Sequence, residues 1–271
     1  MNTVRVMSKN AAYQKFEVLR TNRNKRYRYG EFLVEGVRNI NQAIRNGWQF
    51  TSLLYSPETP LSRWAQEVLD TVSCDTHYQL SANLMQELSG KTDTSELLAI
   101  LRMRPDDPAL LHDSPCPLYI LFDRPSNHGN LGSIIRSADA LGADGLILTG
   151  HGVDLYQPEV ITASMGSFFN LRMADNDTVF DWIARQRDLH PGFQVIGTTA
   201  HKQLNITQVD FRLPTLLMIG NETEGLCRAF KEGCDLLATI PMADTSSASS
   251  FNVACAATVM MYEVCRQRAQ E

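Results

Sequence analysis

After residue 117 the chain alternates short apolar runs with helical stretches, and this alternation restricts the fold more than any other feature. Runs of strand length stand at Leu118–Phe122, Gly145–Leu148, Gln194–Thr198, Thr215–Ile219 and Leu236–Ile240. Between them lie helical stretches such as Leu131–Leu141, Val179–Arg187 and Leu226–Glu232. A strand that is apolar at nearly every position has both faces covered, so the pattern predicts an α/β domain with a parallel sheet between helical layers. The last segment, Phe251 to Gln270, is predicted as a long helix whose first half is apolar all round (Val253, Ala254, Ala256, Ala257, Val259, Met260, Met261). Such a helix is buried against the sheet, a second subunit, or both.

Met103 to Pro117 carries four prolines in fifteen residues. Each removes a backbone donor and biases its predecessor away from helix, which places a boundary there. The expected domains are residues 1–107 and residues 113–271. In the first, Glu31–Val34 and Phe50–Tyr55 read as strands and Val37–Asn46 as a helix closed by Gly47, a small α/β domain. A chain of 271 residues buries two cores without disulfides or metals. The six cysteines form no C-x-x-C pair and have no histidines at zinc spacing, so reduced thiols and no metal are expected. No apolar run approaches the roughly 18–20 residues of a membrane span, and the N-terminus leads into no signal-peptide core. A cytoplasmic protein is the expectation.

Net charge is −5, which by itself speaks against a nucleic-acid partner, but the charge is unevenly placed. Residues 1–28 hold eight basic side chains (Arg5, Lys9, Lys15, Arg20, Arg23, Lys25, Arg26, Arg28) and the single acid Glu17, so this segment is +7 and the remainder −12. A basic arm on an acidic body suits capture of a phosphate backbone, with Arg20, Arg23, Lys25, Arg26 and Arg28 as RNA-binding candidates. A solvated N-terminal helix is the other reading.

Ligands of open α/β sheets bind at the carboxyl ends of strands, so the residues after each apolar run carry the candidates. The first such segment is Asp123-Arg-Pro-Ser-Asn-His-Gly-Asn-Leu-Gly-Ser-Ile-Ile-Arg136. Gly132 within a helix suggests close approach of a ligand or backbone. Asn130 reads as an N-cap or a site residue, and Arg136 as a surface arginine or a site residue. The second is Gly220-Asn-Glu-Thr-Glu-Gly-Leu226, where two glycines permit a tight turn. Glu222 and Glu224 also read as acids in the first turn of the following helix. The third is Pro241-Met-Ala-Asp-Thr-Ser-Ser-Ala-Ser-Ser-Phe-Asn252, in which Ser250 and Asn252 also read as caps. There is no P-loop, no G-x-G-x-x-G and no H-E-x-x-H, which excludes those nucleotide and zinc sites; among the histidines, His128 alone lies in a candidate segment.

Taken together and in order, Asn130–Ala138 (N-L-G-S-I-I-R-S-A), Ile219–Leu226 (I-G-N-E-T-E-G-L) and Ile240–Val253 (I-P-M…S-F-N-V) resemble the three signature motifs of the SpoU, or TrmH, class of S-adenosylmethionine-dependent RNA 2′-O-ribose methyltransferases. Pro158–Phe169 resembles that family's intermediate helix, and Arg26 to Gly47, with Phe32-Leu-Val-Glu-Gly36, resembles the ribosomal-protein-like RNA-binding domain that many members carry in front. The resemblance implies a trefoil-knotted methyltransferase domain, a homodimer built through the last helix, and transfer of a methyl group to a ribose 2′-hydroxyl, of rRNA rather than tRNA. It implies Asn130, Arg136, Glu222, Ser250 and Asn252 around the ribose and methyl donor, and S-adenosylmethionine held at Thr199, Gly220, Ile240 and Phe251. Phe251 stands where the family usually has leucine, and the loop Met242–Ser250 is longer than its pattern. A non-catalytic RNA-binding module of the same fold is the alternative from another class.

Overall fold

The front of the chain builds a five-stranded mixed sheet in the order β1 (Asn2–Val6), β4 (Thr76–Leu80), β3 (Phe50–Tyr55), β5 (Leu97–Arg102), β2 (Glu31–Glu35). The structure is a computed structural model and describes residues 2–91, 93–175, 178–201 and 203–269. One face of this sheet is closed by α1 (Ala11–Thr21) and α5 (Ala82–Leu88). Tyr13, Phe16, Leu19, Leu84, Met85 and Leu88 pack there on Val6, Leu33, Leu54, Leu80, Leu98 and Ile100. Because strand side chains alternate, Phe32 points to the opposite face. Its ring meets Tyr156 at 4.8 Å and Phe168 at 5.8 Å between centroids. Trp48 joins them, its buried indole N–H donating to the carbonyl of Phe169 at 2.8 Å.

This aromatic cluster explains how the chain divides. By packing, Met1–Arg104 and Asp154–Asn170 form one unit, and Pro105–Val153 with Leu171–Glu271 the other. A single cut between residues 107 and 113 leaves Asp154–Asn170, with its helix α7 (Pro158–Ala163), in the C-terminal part; the rings of Tyr156, Phe168 and Phe169 instead complete the core of the front unit.

One expected RNA contact is corrected by the front unit's packing. Arg26, on the short helix α2 (Arg23–Tyr29), is fully buried. Its Nε donates to Asp154 at 2.8 Å, Nη1 to the carbonyls of Leu19 and Arg20 at 3.0 Å each, and Nη2 to Asp154 and Gln157. All five guanidinium donors are satisfied inside the protein, so none is left for a phosphate.

The second unit contains seven strands, every neighbouring pair parallel, as the apolar runs predict. The order is β10 (Leu204–Asn205), β12 (Leu236–Thr239), β9 (Gln194–Thr198), β11 (Thr215–Ile219), β6 (Leu118–Asp123), β7 (Gly145–Thr149), β8 (Met173–Asp175). From α8 (Val179–Leu189), Trp182 and Ile183 pack on Tyr119, Leu121, Val195, Leu216 and Met218, and Phe230 of α9 (Arg228–Gly233) joins the same core. Each such side chain stabilises by about 1.5–3 kcal/mol relative to exposure. The chain steps outward from β6 through β7 to β8, then returns to β9 on the far side of β11. The topology therefore reverses between β6 and β11, and their carboxyl ends flank the crevice where this class of sheet receives ligands.

The last helix, α10 (Val253–Arg268), lies against α6 (His128–Ala140), with Ser137 and Thr258 hydroxyls 2.7 Å apart. In its last turn Arg268 donates to the carbonyls of Phe211, Cys116, Pro117 and Leu213, which ties the helix end to the amino ends of β6 and β11. Burial of α10 is one-sided. Ala254, Ala257, Met260, Met261 and Val264 are buried, whereas Val259 is 42% and Tyr262 58% exposed.

Candidate active site

Three loops meet at the carboxyl ends of β6 and β11 and at the start of α10, and one carboxylate ties two of them together. Glu222, in the turn after β11, accepts from the Ser126 amide at 3.0 Å, the Ser126 hydroxyl at 2.7 Å and the Asn127 amide at 3.1 Å. It also accepts from Asn130 Nδ2 at 3.3 Å. Asn130 in turn accepts from Asn252 Nδ2 at 3.1 Å, and Asn252 caps α10 by accepting from the Ala254 and Cys255 amides. Burial pushes the Glu222 carboxyl up, but hydrogen bonds from Ser126 and Asn130 outweigh it and hold it below the usual value. The carboxylate is therefore a fixed acceptor.

Local sequence decides each position. The N-cap of α6 is Asn127, whose side chain accepts from the Asn130 backbone N–H, so Asn130 is the third helical residue and its side-chain amide is left to face Glu222. Glu222 and Glu224 do not lie in a helix: α9 begins at Arg228, and residues 221–225 close a turn through paired Asn221 and Gly225 backbone bonds. A Cβ on Gly220 would overlap the backbone of Gly225 and Leu226, so only glycine lets the chain fold back this tightly.

A second set of contacts braces the same corner. Arg124, directly after β6, has φ +50°, in the left-handed region that costs a non-glycine residue about 1–3 kcal/mol. Its guanidinium grips the buried Asp123 at 3.0 and 3.1 Å, Glu224 at 2.5 Å and the Gly225 carbonyl at 3.2 Å. The Arg124 carbonyl accepts from Asn221 Nδ2 at 2.7 Å. Asp123 also accepts from the Cys227 amide at 2.8 Å. A Cβ on Gly150 would sit 2.6 Å from Arg124 Cγ, so the loop after β7 is kept small to admit this side chain. Arg124, Asp123, Ser126 and Asn127 are absent from the sequence-derived site; the one signal for them is polar residues following a wholly apolar strand.

Thr199, Gly220 and Ile240 follow β9, β11 and β12, which are adjacent in the sheet. Thr199 N donates to the Ala238 carbonyl at 3.0 Å, which fixes the β9 end beside the β12 end. Gly220 is buried and Ile240 half-buried, while Ser250 and Phe251 are exposed. Arg136 is exposed on α6 and has no hydrogen-bond or ion-pair partner among the described residues, so the structure does not join it to the Glu222 network of its own chain. In the front unit Arg28 is exposed and Lys25 half-buried, Arg23 lies 5.6 Å from the Tyr27 ring centroid, and Arg20 donates to the Glu87 and Leu88 carbonyls. Among the described residues no cluster could hold a metal ion, and no helix is long and apolar enough to cross a membrane.

Comparison with known proteins agrees with the resemblance read from the three loops. Residues 117–262 match the SpoU rRNA Methylase family and residues 10–99 the SpoU L30e-like domain. A 23S rRNA (uridine(2479)-2′-O)-methyltransferase of Streptomyces viridochromogenes is 44% identical over 97% of this chain and 92% of its own length. The crystal structure of the SpoU methyltransferase AviRb from Streptomyces viridochromogenes in complex with the cofactor AdoMet matches with a TM-score of 0.90 at 44% identity, covering 96% of this chain and 98% of that one. The AdoMet-bound rRNA methyltransferase of Sinorhizobium meliloti matches at 28% identity and a TM-score of 0.84, covering 97% and 98%. The chain belongs to the SpoU rRNA methylase family, with a SpoU L30e-like domain in front.

Proposed function

We propose that this chain transfers a methyl group from S-adenosylmethionine to a ribose 2′-hydroxyl of RNA, with rRNA as the acceptor. The observation that carries the reading is the chain Glu222–Asn130–Asn252, which links three separate loops at the sheet's switch point in a protein 44% identical to a 23S rRNA 2′-O-methyltransferase.

The strand ends suit the donor. Thr199, Gly220 and Ile240 present main chain at the carboxyl ends of three adjacent parallel strands, about 4.8 Å apart, a spacing that matches the flat edge of a nucleoside. Phe251 adds an exposed apolar ring at the start of α10. When bound, S-adenosylmethionine supplies a methyl carbon already activated by its sulfonium. The protein's task is then to align the acceptor oxygen and dispose of its proton.

Arg136 fits the acceptor side because its guanidinium is exposed and has no partner among the described residues. A guanidinium is a poor base, so Arg136 grips the 2′-oxygen and an adjacent phosphate and stabilises the developing alkoxide. The proton of the hydroxyl would pass to that phosphate, or to an Arg136 that has first given up its own proton and entered as neutral guanidine, as the oxygen takes the methyl group that the donor would supply. Asn130 and Glu222 orient the ribose side, and Ser250 and Asn252 line it.

A second copy supplies the rest of the site in this reading. Exposed Val259 and Tyr262 on a helix whose first half is apolar, together with an Arg136 that has no partner among the described residues, support a homodimer through α10 and α6. The path from β12, an interior strand, back to α6 supports a trefoil knot through residues 240–252. Reduced cysteines and rRNA chemistry support a cytoplasmic location.

The test is incubation of the protein with labelled methyl donor and separated rRNA and tRNA, followed by nuclease mapping. Label on a ribose 2′-oxygen of rRNA is expected. Label on tRNA alone moves the acceptor, label on a base refutes the chemistry, and no labelled RNA under donor-binding conditions favours a non-catalytic RNA-binding module.

A further inference from the structure

The bonds that Glu222 accepts from Ser126, Asn127 and Asn130 hold the middle of its turn, and a second set of contacts holds the ends. The Gly220–Leu226 turn is a surface excursion, and its own backbone bonds are the Asn221–Gly225 pair. Turns of this kind fray unless fixed from outside. The contacts at its ends converge on one side chain, because Arg124 reaches Glu224 and Gly225 while its carbonyl receives Asn221. Its remaining donors lock onto Asp123, a carboxylate only 2% exposed at the end of β6.

We propose that Arg124 is a positioning residue that clamps the Gly220–Leu226 turn to the end of β6, so that the Gly220 main chain and the Glu222 carboxylate are already in place when the methyl donor binds. This rests on the proposed function for the identity of the ligand.

Two features separate this clamp from an ordinary surface ion pair. Arg124 is held in a left-handed conformation, and Gly150, itself at φ +68°, leaves the space its side chain occupies. An arginine that served charge alone needs neither. The guanidinium fork also meets two carboxylates and a carbonyl from two loops, a geometry that lysine's point charge does not reproduce.

The informative variant is Arg124→Gly, because glycine adopts the same backbone without strain and removes only the clamp. Binding of S-adenosylmethionine to the full chain, measured by calorimetry, should weaken about tenfold. Amide hydrogen exchange should speed up at residues 221–227 well beyond any change in β6, β11 and α10, and Tm should fall because Asp123 is left buried without its counter-ion. Glu224→Gln should produce the same pattern more weakly and add nothing to Arg124→Gly, and Arg124→Lys should fall between wild type and glycine. Unchanged donor affinity and unchanged exchange in Arg124→Gly overturn the proposal. So does a rise in exchange that is uniform across the unit, which assigns Arg124 to global stability alone. If the wild-type chain binds no S-adenosylmethionine, the functional reading fails, and local exchange at 221–227 still decides whether Arg124 holds the turn.

Discussion

Two buried carboxylates each hold an arginine, and the two regions use the same pair to opposite ends. In the front unit Arg26 has no exposed surface and all five of its donors are satisfied, so it sets the position of α2 and has nothing to offer a ligand. In the second unit Arg124 pairs with Asp123 but keeps 29% of its side chain exposed and reaches a turn at the ligand crevice. Beyond both stands Arg136, exposed and without a partner among the described residues. How completely a guanidinium is satisfied within its own chain thus separates Arg26 as scaffold from the support proposed for Arg124 and the chemistry proposed for Arg136.

The largest effect should follow from Arg136. Arg136→Ala removes the group proposed to stabilise the developing alkoxide, and kcat/KM should fall by about 10³-fold, with donor affinity near wild type. Labelled-methyl incorporation and calorimetry measure the two. Turnover within a few-fold of wild type would break the comparison at its functional end.

The opposite pattern is expected for the satisfied arginine. Asp154→Ala leaves the Arg26 guanidinium buried without its counter-ion, which costs about 3 kcal/mol in urea unfolding. The salt dependence of RNA binding should not change. If it does, Arg26 reaches RNA after all.

Much of this division escapes the sequence for a physical reason. Runs such as Phe50–Tyr55, Gln194–Thr198 and Thr215–Ile219 are legible to the residue, because a strand covered on both faces tolerates little but apolar side chains. The strands β1 and β4 of the front sheet carry no such signal, because Arg5, His77 and Gln79 interrupt the pattern, whereas the apolar run of β5 is as legible as those of the second unit. Arg26 reads as one more residue of a basic arm because its partner lies 128 positions away. The three loops around the crevice are legible as motifs, but the Glu222–Asn130–Asn252 links and the strained Arg124 are facts of conformation, and composition does not encode φ. The helix start at Arg228 rather than near Glu222 has the same cause: a tight turn at Gly220 and Gly225 uses the residues that resemble a first turn.

A smaller effect should separate the carboxylates by pH. Glu222 has its folded pKa held below its ordinary value of 4.5, so its contribution is fully present above that value and is lost as pH falls through the depressed one. The Tm advantage of wild type over Glu222→Gln should be constant from neutrality down to about pH 5 and shrink below it. An advantage that instead grows toward acid reverses the sign and removes the hydrogen-bonded carboxylate as its source.

The smallest effect tests the exposed end of the basic arm. Arg28 lies on α2 two residues beyond Arg26 but faces solvent, so it is available to a phosphate where Arg26 is not. Arg28→Gln should leave Tm unchanged and weaken binding of structured and single-stranded RNA alike. Loss of one phosphate contact releases one fewer group of counter-ions, so the slope of log K against log salt should become shallower by about 0.7–0.9. Affinity titrations between low and physiological salt measure it. A shallower slope for Arg28→Gln beside an unchanged slope for Asp154→Ala would show that one turn of helix carries an anchor on one side and an RNA contact on the other. Equal slopes in both variants would mean that the basic arm's charge, though concentrated in sequence, does not meet the RNA backbone through α2.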